Sequence, residues 1–473
     1  MSTFEPDRPK TKLPIIGFLL LIVAIGLLVG AYYLAPRFER SSPQIRLPDS
    51  DVLGLSTVEI AIGDAGAGLK SVTATLSAGG SDHMLVSEQY AQPVSEKKFT
   101  VDLSSKLAAL KEGPAVLRVS AQDASLWNFF RGNETVIQKN LTIDLTPPTV
   151  ELIAEDRYVN FGGVGAIVYK ASADTTASGV RIGGYLFPGF KGQIKDQPDY
   201  FIALFAHPYN VPANVKAVLV ATDKAGNSRQ IPLVYELKNV NYRKSSIPVS
   251  ESFLQNKVAP LLQDVGARQG APKDIFVAVN KKLRKENEDR IIAVTSKATP
   301  SILWKGAFHQ LSNSKVEANF ADQRTYVYNH EPIDTAYHLG YDLSVTKHYP
   351  VEAANSGTAA FVGDLGIYGN AVILDHGLGL FTLYGHLSSM DVKVGDAVKD
   401  RQIIGKTGET GLAAGDHLHY GVYLSGVAVL PVEWWDPKWI DDNISPKLAG
   451  KSSEAVAESQ RAARPRKAAT RRR

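Results

Sequence analysis

The chain has 473 residues, 44% hydrophobic and 21% charged, which exceeds one hydrophobic core and suggests about three domains of folded material. Its net charge of +4 is modest and gathers at the C-terminus. It contains no cysteine, which excludes disulfides, thiol catalysis and cysteine-built zinc sites, so any metal must be held by His, Asp or Glu.

The first element is an uncharged run, "LPIIGFLLLIVAIGLLVGAYYLA", over residues 13–35. As a helix it would extend about 34 Å, enough for a bilayer core, with Tyr32 and Tyr33 at an interface and Pro36 as a stop. The run is longer than a signal-peptide core and lacks a small-x-small cleavage site. Arg8, Lys10 and Lys12 precede it, against Arg37 and Arg40 after it. The pattern therefore predicts a cytoplasmic N-terminus over 1–12 and a transmembrane helix over 13–35. The rest of the chain would lie outside the inner membrane, in the periplasm or its equivalent.

Residues 43–240 read as strands. "STVEIAI", "KSVTATL", "AVLRVSA" and "KAVLVAT" alternate or run apolar, are rich in β-branched residues and are separated by turn residues. The segment also repeats internally: "DAGAGLKSV" from Asp64 answers "DTTASGVRI" from Asp174, and "VSAQDAS" answers "VATDKAGNS". The repeat length of about 100 residues is that of one β-sandwich. The two halves, 43–146 and 147–240, resemble tandem bacterial immunoglobulin-like domains joined at "DLTPPTV".

From residue 241 to 299 the period changes. "VSESFLQNKVAPLLQ" offers Ser250 as an N-cap, and "PKDIFVAVNKKLRKENE" places Pro272 at a first helical position. This predicts a short helical connector, which either covers the cleft of the next domain or holds that domain away from the sandwiches. At the far end, residues 446–473 have no apolar period and carry seven basic residues from Arg461 onward. They read as a disordered tail, suited to an anionic envelope polymer or membrane rather than to nucleic acid, or simply solvated.

Residues 300–445 concentrate the chemistry. In "HLHYGVYL", His417 and His419 share one face of a strand, roughly 6–7 Å apart. "HLGYD" supplies His338 and Asp342, and "YGHLS" supplies His386. Two nitrogens and one oxygen with a fourth position left to water is the arrangement of a catalytic zinc site. The glycines of "VKVGDAVKDRQIIGKTGETG", at 395, 405, 408 and 411, permit tight turns and positive φ. A biotinyl- or lipoyl-type hammerhead has similar punctuation, but it needs a lysine displayed on a hairpin tip, and none is present.

Taken together, "HLGYD", "YGHLS", the glycine-rich series and "HLH" resemble the M23 family of zinc metallopeptidases, the lysostaphin and LytM type, over about 130–145 residues. The resemblance implies an antiparallel β domain with a narrow groove, one Zn2+ per chain held by His338, Asp342 and His419, and unligated catalytic histidines at His386 and His417. It implies a peptide cross-link of bacterial cell-wall peptidoglycan as substrate. The chain departs from the family pattern at Asp416, where proline is common, at Tyr420 and Gly421, where phenylalanine and glutamate are common, and at "KDRQ" for "KAGQ". No ligand position is lost. Tyr368, Tyr384 and Tyr420 stand as oxyanion donors or packing residues, Asn370 as a groove residue and His376 as structural. The expectation is a mainly β, membrane-anchored zinc endopeptidase. Its rival is a wall-binding scaffold, or an activator of other wall hydrolases, in which the peptidase fold only docks.

Overall fold

The computed structural model describes residues 13–34, 37–54, 57–103, 111–262, 268 and 270–451, and the basic tail beyond lies outside them. The chain is mainly β and divides into two compact units, 1–147 with 223–227, and 148–222 with 228–473.

The first helix is Leu13–Leu34, with described side chains from Gly17 to Tyr33. No helix among the described residues is long and apolar enough to cross a membrane. The expected transmembrane helix over 13–35 and the single-pass inner-membrane location are corrected accordingly.

In the first unit a three-stranded sheet runs Gln44–Arg46, Thr57–Gly63, Glu96–Asp102. A five-stranded sheet runs Val52–Leu53, Glu134–Ile143, Gly113–Asp123, Leu69–Ala78, Ser81–Val94. Alternation dictates which face is buried. Val58, Ile60 and Ile62 point inward from their strand and join Leu69, Val72, Leu117 and Val119 in one core.

The second unit starts with a pair of four-stranded sheets. Val164–Ala171 and Tyr200–Ala206 are central in one, Thr175–Ile182 and Val218–Asp223 in the other. Residues 241–299 are not wholly helical. Lys244–Pro248 is a strand, parallel to Gln323–Tyr328, which pairs in turn with Glu331–Tyr337. Helical turns follow. Ser250 Oγ caps the first by accepting from Phe253 N at 3.1 Å, and Pro272 opens the second. After them comes an eight-stranded sheet whose centre is Tyr341–Ser344, Leu418–Leu424, Leu380–Gly385, Asn370–Gly377 and Gly357–Asp364, in that order.

The C-terminal turns tie this sheet to the sandwich within the same unit. Glu433, 4% exposed, accepts from Asn160 Nδ2 at 2.7 Å and Val164 N at 2.8 Å. Lys447, 2% exposed, pairs with the buried carboxylate of Asp156. Leu430 N also donates to Gly162 O at 2.9 Å. Burying these groups is tolerable only because each is partnered.

Candidate metal centre and groove

The strand Tyr341–Ser344 lies antiparallel to Leu418–Leu424, with Asp342 directly opposite His419. Opposed residues project to the same side of a sheet, so register alone brings these two together. His338 arrives from the loop before Tyr341, where its N donates to Asp322 O at 3.0 Å. Gly340 makes this turn possible: a Cβ there would sit 2.6 Å from Tyr420 O and 2.7 Å from His419 Nε2.

Three donor atoms converge. His338 Nε2 lies 2.9 Å from Asp342 Oδ1 and 3.1 Å from His419 Nδ1, and His419 Nδ1 is 3.1 Å from the same oxygen. Edges of about 3 Å suit three corners of a tetrahedron with bonds of about 2.0–2.2 Å. The tautomers agree. His338 Nδ1 faces Asn319 O at 2.9 Å, an acceptor only, so Nδ1 carries the hydrogen and Nε2 turns its lone pair inward. These three residues form a group able to hold a metal ion. Burial would push the Asp342 carboxyl up, but His338, His417 and His419 hold it well below its ordinary range. Burial lowers His419 to about 4, so the ring stays neutral and available as a ligand.

His386 and His417 stand beside this triangle with ring centroids 4.8 Å apart. His386 Nδ1 donates to Thr410 O at 2.8 Å and His417 Nδ1 to Gly415 O at 2.8 Å. Both acceptors come from the glycine-rich loop, so that loop aims both rings and turns each Nε2 towards the groove. His417 Nε2 is 3.5 Å from Asp342 Oδ1. Burial alone would lower the His417 pKa, yet the Asp342 carboxylate raises it. His386 is lowered to about 3 by burial and by its histidine neighbours. Its backbone is held at φ +62, a left-handed conformation costly for a non-glycine residue, with its N donating to Tyr368 O at 2.7 Å.

These residues line a groove of about 380 Å³, together with Tyr368, whose ring packs 5.2 Å from His419. The connector contributes Phe253, Phe276 and Arg284, so it forms part of the cleft wall. No motif or periodicity in the sequence marks Arg324. Its Nη2 lies 3.1 Å from Asp342 Oδ2, on the opposite carboxylate oxygen from the histidines. A guanidinium there fixes the carboxylate's rotation.

Other expected residues lie elsewhere. Tyr384 OH accepts from Ala354 N at 2.8 Å, inside the core. Tyr420 points to the opposite strand face from His419 and packs against Tyr384 and Trp435. Asn370 Nδ2 donates to Leu387 O at 3.2 Å. His376 is fully buried between Ser356 O and Thr382 Oγ1, each at 2.7 Å. Asp416, at the position where proline is common, accepts from Thr407 Oγ1 at 2.6 Å and His348 N at 3.1 Å, staking the glycine-rich loop by side chain.

The model of peptidase family M23 matches residues 336–431. The C-terminal part of the chain is an M23 peptidase domain. Within it the chain is similar to the DD-carboxypeptidase/endopeptidase Mpg of Neisseria meningitidis, 41% identical over 95 residues, 20% of this chain and 22% of that protein. It is also similar to the peptidoglycan DD-endopeptidase ShyA of Vibrio cholerae, 32% identical over 115 residues, 24% of this chain and 26% of the other. The chain thus spans about a quarter or less of these relatives' lengths. Among solved structures it is similar to a putative M23 peptidase from Pseudomonas aeruginosa, at 18% identity and a TM-score of 0.38, covering 59% of this chain and 95% of that one.

Proposed function

We propose that this M23 domain is a zinc endopeptidase that hydrolyses peptide cross-links of bacterial peptidoglycan. One observation carries the reading: three convergent donor atoms and two further histidines, each held through its Nδ1, share one groove. The similarity to a carboxypeptidase/endopeptidase and to a peptidoglycan DD-endopeptidase supports it. His338 Nε2, Asp342 Oδ1 and His419 Nδ1 would hold the ion. Zinc so held supplies Lewis-acid activation of water and of the scissile carbonyl. His417 Nε2 takes the proton lost by the attacking water and passes it to the departing amine. His386 Nε2 accepts a hydrogen bond that orients the water, and its neutral ring keeps a second positive charge out of the groove. Arg324 holds Asp342 in place, and Tyr368 fixes the His419 ring. The two β-sheet pairs before the groove act as immunoglobulin-like spacers.

The test is metal removal. Chelated protein should release no soluble fragments from purified sacculi, and stoichiometric zinc should restore release, read by chromatography of the products. Undiminished release after complete chelation would refute the assignment.

A further inference from the structure

Arginine is charged at every accessible pH, so a guanidinium in a partly buried groove needs a partner. Arg324 has its own, in Asp342 and Asp322. Arg284, half-buried on the same groove wall, makes no direct ion pair among the described residues. Its Nε and Nη2 donate to Asn280 Oδ1 at 3.2 and 2.9 Å, a neutral acceptor. The Asn280 amide is fixed in that orientation, because its Nδ2 donates to Asp334 Oδ2 at 2.9 Å and Thr335 O at 3.2 Å. Glu288, one turn further on, attracts Arg284 electrostatically but makes no direct ion pair with it. The groove around Arg284 includes Phe253, Phe276, Ile367 and Leu412, apolar walls that strengthen any charge inside. The remaining N–H donors of the fork are free to take two carboxylate oxygens at once.

We propose that Arg284 is a specificity-determining residue that binds a free carboxylate of the peptide substrate. This rests on the hydrolase reading above and adds that the substrate is recognised as an anion. The connector then serves as a substrate-reading wall.

The experiment uses the full chain loaded with zinc and two probes: purified cross-linked muropeptide dimers, and the same dimers with their carboxylates converted to amides. The wild type should prefer the native dimer in kcat/KM by about 10- to 100-fold, through a lower KM. Arg284→Gln should lose that preference, with zinc content and melting temperature unchanged, and Arg284→Lys should fall between. Calorimetric binding of both dimers supplies a second readout. A chain that binds native dimers in preference to amidated ones without cutting either fails as a hydrolase, yet still tests Arg284. Arg284→Gln retaining the wild-type preference in cleavage or in binding would overturn the proposal.

Discussion

Substituting Glu433 by glutamine should change how stability depends on pH. Glu433 is buried between the sandwich and the peptidase sheet, and burial, reinforced by nearby Asp156, pushes its carboxyl from an ordinary 4.5 up to about 8. The hydrogen bonds from Asn160 and Val164 act in the opposite direction but do not win. The sign follows. Between these two values the unfolded chain releases the proton and the folded chain keeps it, so stability falls as pH rises from about 4.5 towards 8. The whole window is worth on the order of 5 kcal/mol, at about 1.4 kcal/mol per pH unit. Glutamine carries no such proton, which removes the slope. It also presents an amide NH2 to one of two N–H donors, costing about 1–3 kcal/mol at low pH. The two stability curves should therefore converge, then cross, as pH rises. Urea unfolding at pH 5, 6.5 and 8, followed by tryptophan fluorescence, reads this directly, since Trp434 and Trp435 immediately follow the residue. Parallel pH dependences in the two proteins would refute the argument.

Gly340→Ala should displace His419, because the added methyl would lie 2.7 Å from its Nε2. Zinc affinity, by competition with a chelating dye, should fall by at least tenfold, and unchanged affinity would mean the loop yields. Arg324→Gln should weaken zinc binding about 10- to 100-fold by freeing the Asp342 carboxylate, with little change in melting temperature.

The grouping of His338, Asp342 and His419 was legible through short motifs and the family they resemble. Asp342 and His419 sit on strands whose antiparallel register brings them together, with His338 in the loop just before the first. The glycine pattern was legible in kind. Gly395 and Gly411 have the positive φ expected of them, whereas Gly405 and Gly408 are required by close approach, to Ser389 O and Ser388 N. Contacts made by single side chains across long sequence separations were not legible. Arg324 reaches Asp342 only because residues 323–328 pair with a strand at 244–248, a segment whose Ser-Ser and Pro content conceals its strand character. Nothing in the sequence distinguishes Arg284 from other charges on its helix, and only the folded groove shows it there without a direct ion pair among the described residues. The helix at 13–34 shows the reverse: an apolar run is plain in sequence, yet no helix among the described residues is long and apolar enough to cross a membrane.

The central claim is best tested by measuring zinc content and cross-link cleavage on the same preparations of the wild type, Asp342→Ala and His417→Ala. The account predicts one zinc and cleavage in the wild type, and loss of both in Asp342→Ala, where one of three ligands is missing. His417→Ala should retain zinc while turnover falls about 10²- to 10³-fold, since its task is proton transfer. A zinc-loaded wild type that binds cross-linked peptide and never cuts it, or a His417→Ala variant that cuts at the wild-type rate, would contradict it.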